Sequence, residues 1–131
     1  MIKINHIALN VNDIDYMKEF YCKMFNLQAN NLYVNYKKKI QCYFLSFNSG
    51  FTRLELVKNE NISDIFTKSN SFGFSHISFS MGSRENIEYK IDELIKNYTD
   101  IEIIEQLRMT GDGTFFASFT DPEGNLVELT T

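Results

Sequence analysis

The sequence contains an internal repeat, and this feature constrains the fold more than any other. Residues 6–11 read His-Ile-Ala-Leu-Asn-Val, and residues 76–81 read His-Ile-Ser-Phe-Ser-Met, 70 residues further along the chain. A second matching pair follows in the same order: residues 54–56 read Leu-Glu-Leu and residues 127–129 read Val-Glu-Leu. Two ordered matches at similar offsets indicate a duplicated unit of roughly half the chain.

Each half also shows the same order of predicted elements. A strand is predicted at residues 3–11 and again at 74–81, and each is followed by a helix with a capping residue, Asp13 or Ser83. Further strands are predicted at 40–48, 52–57, 101–107, 115–120 and 126–130, and residues 28–39 are predicted to form a loop. A turn with the sequence Asp-Pro-Glu-Gly-Asn joins the last two strands. The prediction is therefore an α+β fold of two βαβββ modules, in which the third strand of the first module has the weakest pattern.

The two modules are expected to belong to one domain, residues 1–131. They span 1–57 and 74–131, with a polar linker at 58–73. Each predicted helix carries one apolar stripe that would pack on its sheet. The stripe residues are Ile14, Met17, Phe20, Tyr21, Met24 and Phe25 in the first helix, and Ile87, Ile91, Leu94, Ile95 and Tyr98 in the second.

Four polar residues of the repeat lie on the opposite side of the predicted sheets. The side chains of a strand alternate between its two faces, so His6 faces away from Ile7, Leu9 and Val11. The same alternation places the other three repeated polar residues away from the helix-covered core. These residues are Glu55, His76 and Glu128. Two imidazoles and two carboxylates would converge if the two modules form a trough on that side.

This combination of side chains favours a metal site. Imidazole nitrogen and carboxylate oxygen bind divalent first-row metals such as Zn, Ni, Co, Mn or Fe(II). Either histidine alone is more often structural than a ligand, and a strand glutamate is usually solvated. The repeat favours a metal-binding role over a structural one, because the two histidines are the only ones in the chain and each is the first residue of an equivalent strand segment. Neither Cys22 nor Cys42 has a repeat partner, which disfavours a thiolate zinc site.

Composition excludes several other classes of protein. The formal net charge is −4, with 13 Lys and Arg against 17 Asp and Glu, which argues against a nucleic-acid binder. The apolar runs are short, so no membrane span is predicted. Residues 1–6 lack the apolar segment of a signal peptide, and a cytoplasmic location is the resulting expectation. The two cysteines are expected to be reduced, half-buried thiols.

With these motifs in place, the sequence resembles the vicinal-oxygen-chelate superfamily, which includes glyoxalase I. The resemblance covers nearly the whole chain and rests on the two His-Ile strands, Phe20-Tyr21, the Leu-Glu-Leu segment and the stretch at 121–129, Asp-Pro-Glu-Gly-Asn-Leu-Val-Glu-Leu. It implies paired βαβββ modules that form an open, barrel-like mixed sheet around a metal. Glyoxalase I uses His, Glu, His and Glu as ligands, an order that matches the four repeated residues.

The resemblance also implies an activity. The chain looks like a lactoylglutathione lyase, which converts the hemithioacetal of a 2-oxoaldehyde and a thiol into a 2-hydroxyacyl thioester through a metal-stabilised enediolate. By analogy Glu128 is the base, Glu55 is its symmetry mate, and His6 and His76 stay bound to the metal. The implied metal is Ni, Co or Zn, with Fe or Mn as alternatives.

Two asparagines occupy positions near the implied thiol site. Asn10 stands where bacterial glyoxalase I usually has an arginine that reads the thiol's carboxylate, whereas the family's asparagine four residues after the first glutamate is present as Asn59. Without that arginine, the sequence does not specify which thiol or which substrate the protein uses.

Three alternatives remain at this stage. The chain could act on another small metabolite as an epimerase or similar enzyme, act as an Fe(II) dioxygenase, or bind a small molecule or drug without catalysis, as members of the bleomycin-resistance branch do. The expected partner is a small-molecule substrate, with no nucleic acid or membrane. A homodimer is the expected assembly. The four ligands of one metal site would then come either from one chain or from two chains.

Overall fold

The computed structural model describes residues 1–62 and 72–131. The chain divides into two compact units, Met1–Asp64 and Ile65–Thr131. In the described residues each unit contains one helix and one mixed sheet, so the fold is α+β, as the sequence predicted. No helix in the described part of the chain combines the length and apolar character needed to cross a membrane.

The described part of the first unit, residues 1–62, contains one helix and five strands. Its elements are β1 (His6–Asn10), α1 (Ile14–Phe25), β2 (Gln28–Ala29), β3 (Tyr33–Asn35), β4 (Ile40–Ser46) and β5 (Arg53–Asn59). The sheet has the order β1-β5-β4-β2, and β3 also pairs with β4. β1 runs parallel to β5, whereas β4 runs antiparallel to it. The parallel pairing is possible because α1 and the following strands form the long connection that two parallel neighbours need.

The second unit repeats this arrangement with a single long strand at its edge. Its elements are β6 (Ile77–Ser80), α2 (Arg84–Asn97), β7 (Glu102–Met109), β8 (Phe115–Thr120) and β9 (Leu126–Thr130). The sheet order is β6-β9-β8-β7, with β6 parallel to β9 and the other neighbours antiparallel. The position of β7 beside β8 corresponds to that of β2 and β3 beside β4.

Both helices begin at the predicted caps. The side chain of Asp13 accepts a hydrogen bond from the backbone N–H of Tyr16, and Ser83 accepts one from Asn86. These bonds satisfy backbone donors that the first turn of a helix leaves unpaired. The buried faces of the helices then pack on the apolar faces of their sheets. The buried helix residues are Ile14, Met17, Phe20, Tyr21 and Met24 in α1 and Ile87, Ile91 and Leu94 in α2.

The turn at 121–125 is also confirmed. The backbone N–H of Gly124 donates to the carbonyl of Asp121, which is the bond that closes a four-residue turn. The buried carboxylate of Asp121 accepts further hydrogen bonds from the backbone N–H groups of Glu123 and Asn125 and from the Asn125 amide. These four hydrogen bonds fix the β8–β9 connection and the register of the strand that carries Glu128.

Several sequence predictions need correction. Residues 28–39 are not simply a loop, because they contain β2 and β3. In the second helix Ile95 is 57% exposed, since it lies one position beyond the buried Leu94 and is rotated off the core-facing stripe. β5 continues to Asn59, so the segment predicted as a linker from 58 begins inside a strand. Residues 63–71 of that predicted linker lie outside the described residues.

The two cysteines are free thiols, as expected. Cys22 is half-buried, and burial raises the pKa of its thiol above the ordinary value. Cys42 is buried on β4 rather than half-buried.

Candidate metal centre

The first unit places His6 beside Glu55. His6 opens β1, and the parallel register sets Ala8 of β1 opposite Glu55 of β5. His6 and Ala8 share a face of β1, so the imidazole lies diagonally across from the glutamate. The Nε2 atom of His6 is 3.2 Å from the Oε2 atom of Glu55. Two residues that are distant in sequence therefore meet through strand pairing.

The second unit contains the equivalent pair. His76 lies directly before β6, whose Ser78 is opposite Glu128 of the parallel strand β9. The Nε2 atom of His76 is 3.2 Å from the Oε2 atom of Glu128, the same separation as in the first unit. The duplication that the sequence indicated is thus repeated in the geometry of the polar side chains. Both histidine side chains are partly exposed, at 40% and 37%.

The hydrogen bond at the other ring nitrogen determines the tautomer of His6. Its Nδ1 atom is 2.8 Å from Oδ1 of Asn5, and the same oxygen accepts a hydrogen bond from Nη2 of Arg53. A guanidinium can only donate, so the shared Asn5 atom is an acceptor and His6 must donate its Nδ1–H. A neutral His6 then directs the Nε2 lone pair at the Glu55 carboxylate, and a cation between the two atoms would remove their repulsion.

The spacing of each pair also fits a shared ion. Imidazole nitrogen and carboxylate oxygen bind zinc at about 2.0–2.2 Å in a tetrahedral arrangement, so two such ligands are about 3.4 Å apart. The two nitrogen–oxygen separations of 3.2 Å are close to this value. The Nδ1 atom of His76 is 3.0 Å from Oγ of Ser75, which supplies the orienting contact that metal-binding histidines usually have.

Each unit alone supplies two candidate ligands. Within residues 1–62 and 72–131 the structure contains no group of three or more His, Cys, Asp or Glu side chains positioned to hold a metal. The predicted ligand set of His6, Glu55, His76 and Glu128 is therefore found as two separate pairs, one on the face opposite the helix in each unit.

The two glutamates have different surroundings. Glu55 is 17% exposed and accepts a hydrogen bond from the Cys42 thiol on the neighbouring strand. Burial, followed by the charge of the Glu55 carboxylate and this hydrogen bond, raises the pKa of Cys42, so the thiol keeps its proton. Glu128 is 25% exposed, and in the described residues its carboxylate has one such contact, to His76. Glu55 is therefore more buried than Glu128 and has one more hydrogen-bond partner.

The predicted thiol-site asparagines lie on the same face as the first pair. Asn10 is the exposed last residue of β1 and lies opposite Val57. Asn59 ends β5, and its side-chain oxygen accepts hydrogen bonds from the backbone and side chain of Asn61. That oxygen thus stabilises the turn after β5, while a role of either asparagine in binding a substrate stays a prediction.

Four residues that sequence analysis missed lie around the two His–Glu pairs. Asn5 and Ser75 orient the histidines, and both directly precede a repeated histidine with a side-chain oxygen. This common position was a usable signal in the repeat. Phe44 packs its ring against His6 edge to face, with ring centroids 5.4 Å apart, and Arg53 stacks on Phe44. No local pattern marked these two residues.

The fold agrees with comparisons with known proteins. A family model described as the Glyoxalase/Bleomycin resistance protein/Dioxygenase superfamily matches residues 3–129. The chain therefore belongs to this superfamily, as its motifs suggested. A comparison with curated protein sequences found no significant match.

Solved structures share the glyoxalase-like fold. A glyoxalase family protein from Enterococcus faecalis has a TM-score of 0.78 at 22% identity, covering 98% of this chain and 97% of that one. The trypanothione-dependent glyoxalase I from Leishmania major has a TM-score of 0.76 at 20% identity. The match covers 98% of this chain and 86% of that one. Glyoxalase I from Zea mays has a TM-score of 0.72 at 21% identity. The match covers 96% of this chain and 44% of that one.

Proposed function

We propose that the protein is a metal-dependent isomerase of the glyoxalase I type. The observation that carries this proposal is the pair of matching His–Glu contacts, one in each repeat unit, each with 3.2 Å between Nε2 and Oε2. The donor set of two imidazoles and two carboxylates suits Ni, Co or Zn, and also Fe(II) or Mn. The substrate would be the hemithioacetal of a 2-oxoaldehyde and a thiol.

The residues of the chain have distinct roles in this proposal. His6, Glu55, His76 and Glu128 would hold the metal, which when bound would supply a Lewis acid toward the substrate oxygens. His6 and His76 would stay in place because Asn5 and Ser75 hold their other ring nitrogens. Glu55 would also stay, since the Cys42 thiol donates to it.

Glu128 is the proposed base. Its greater exposure and its single described contact leave it freer to move than Glu55. It would take the proton from the substrate carbon that bears the sulfur and return it to the adjacent carbonyl carbon. The result is a 2-hydroxyacyl thioester with the same atoms as the hemithioacetal, so no oxidant, reductant or other reactant is required.

The proposal is tested by metal analysis and a direct assay. Elemental analysis of the purified protein identifies the bound metal, and thioester formation is then measured with methylglyoxal and several thiols. We expect Ni, Co or Zn and measurable isomerisation. Protein that binds no metal would instead support a binding module, and Fe(II) with oxygen uptake would support a dioxygenase.

The Glu128→Gln variant tests the base. We expect the variant to fold, because Glu128 lies opposite the apolar core, and to lose activity by a factor of about a hundred to ten thousand. Circular dichroism and steady-state kinetics provide the measurements. Glu102→Gln, on the exposed edge strand of the same unit, is the matched control and should retain normal turnover. Normal turnover of Glu128→Gln would eliminate this residue as the base.

Assembly is part of the proposal. We expect a homodimer, in which the two His–Glu pairs that hold one metal come from the same chain or from two copies. If two copies share each site, a mixture of His6→Gln and His76→Gln subunits would regain activity, because one of its two sites would contain only unchanged ligands.

A further inference from the structure

Arg53 lies on the same sheet face as the candidate metal ligands. It is the first residue of β5 and is paired in register with His6 of β1. It also lies two positions before Glu55, and residues two apart in a strand share a face. The guanidinium is therefore close to the candidate site although it is not one of its ligands.

Two contacts fix the orientation of this guanidinium. Its Nη2 donates to Oδ1 of Asn5 at 3.0 Å, the same oxygen that accepts from His6. Its central carbon lies 4.3 Å from the ring centroid of Phe44, which is a stacking contact. A stacked and hydrogen-bonded arginine loses little further conformational freedom when it binds a ligand.

Arg53 differs from the other two arginines of the chain in its charge partners. Arg84 pairs with Glu88, and Arg108 pairs with Glu105. In the described residues, Arg53 has no carboxylate within 4.0 Å, although it is half-buried. A guanidinium has five N–H donors, and Asn5 accepts from one of its nitrogens. The remaining donors are therefore available to an anion.

We infer that Arg53 is the residue that recognises a carboxylate on the substrate. The inference rests on the proposed function, because it places that carboxylate on a molecule whose reacting atoms lie near His6 and Glu55. A single guanidinium matches one planar, monoanionic carboxylate, with two parallel N–H···O bonds. The substrate class is thus a hemithioacetal whose thiol portion carries a carboxylate group.

The test uses a pair of non-reacting probes that differ in charge. Binding of (benzylthio)acetate and of its uncharged amide is measured by isothermal titration, with metal-free and with nickel-loaded protein. The unchanged protein should bind the acid about tenfold or more tightly than the amide, since charge-assisted hydrogen bonds exceed neutral ones in strength. Arg53→Met should bind both probes with similar affinity, and Arg53→Lys should keep part of the preference.

Arg108→Met is the matched control. Arg108 also stacks on a phenylalanine, Phe116, at 4.6 Å, but its charge is paired with Glu105. This variant should keep the full preference for the acid. An equal preference in Arg53→Met and the unchanged protein would overturn the inference, and so would the absence of any preference in the unchanged protein.

Nickel affinity, measured separately, distinguishes this inference from the proposed function. Arg53→Met should bind nickel within about threefold of the unchanged protein, which would show that the His6 site persists. If the unchanged protein binds no metal but still prefers the acid through Arg53, the proposed isomerase is wrong and carboxylate recognition is supported.

Discussion

At the scale of single residues, a shared oxygen links the candidate metal ligand to the recognition arginine. Oδ1 of Asn5 accepts from Nδ1 of His6 and from Nη2 of Arg53. The first bond leaves Nε2 of His6 as the atom proposed to bind the metal, and the second holds the guanidinium beside it. One asparagine that precedes the repeat motif therefore orients both the proposed ligand and the proposed recognition residue.

Asn5→Leu should weaken metal binding while preserving the ligands. Leucine has a similar size but cannot accept the Nδ1–H, so His6 loses its preferred tautomer and orientation. We expect a decrease in nickel affinity of about ten- to a hundredfold, as for other orienting partners of metal ligands. Competition with a chelator measures the affinity.

A distant asparagine provides the control for Asn5. Asn97→Leu changes an exposed position at the end of α2, where the side chain bonds only to the Glu93 carbonyl. It should leave nickel affinity unchanged. Equal affinities of Asn5→Leu and the unchanged protein would contradict the orienting role.

At the scale of secondary-structure elements, periodicity predicted the helices better than the short strands. The caps and most core positions of α1 and α2 are confirmed, because a cap and a 3.6-residue stripe are local features of the sequence. β2 and β3 have two and three residues, which is too short for an alternating pattern to be visible. They exist because β4 offers backbone partners along its edge.

Neighbouring positions of α2 should differ sharply in their effect on stability. Leu94 is fully buried, so Leu94→Ala removes packed methyl groups and should lower the free energy of unfolding by about 2–5 kcal/mol. Ile95→Ala, at an exposed position, should change it by about 0.5 kcal/mol or less. Urea unfolding followed by circular dichroism measures both. Equal losses would show that the apolar stripe of α2 lies on a different face.

At the scale of the whole molecule, duplication gives each unit half of a predicted ligand set. Parallel pairing of the first strand with the last strand of each unit brings histidine and glutamate together. The apolar side of each sheet is covered by the unit's own helix, so stability and the proposed chemistry depend on opposite faces. Substitutions of the polar pairs are therefore compatible with an intact core.

Metal should stabilise the folded protein, and both units should be required. A ligand at a hundred times its dissociation constant adds about 2.7 kcal/mol to the free energy of unfolding, which corresponds to a rise of roughly 10 °C in melting temperature for a chain of this size. His6→Gln and His76→Gln should each abolish most of this rise. Thermal unfolding with nickel and with a chelator measures it.

The outcome in the two single variants tests the joint site. If His76→Gln keeps the full nickel effect while His6→Gln loses it, one unit binds the metal without the other. Substitution of Tyr89, an exposed residue of α2, by phenylalanine is a control that should retain the rise.

The sequence by itself determined the duplication, the helix caps, the β8–β9 turn and the faces on which the four polar residues lie. These features depend on short-range spacing, which a single chain displays directly. Tertiary structure decided which side chains are neighbours, including His6 with Glu55, the thiol of Cys42 with that glutamate, and Arg53 with Asn5 and Phe44. Such contacts depend on which strands become neighbours, and the alternation along one strand fixes the face of each residue but not the partner strand.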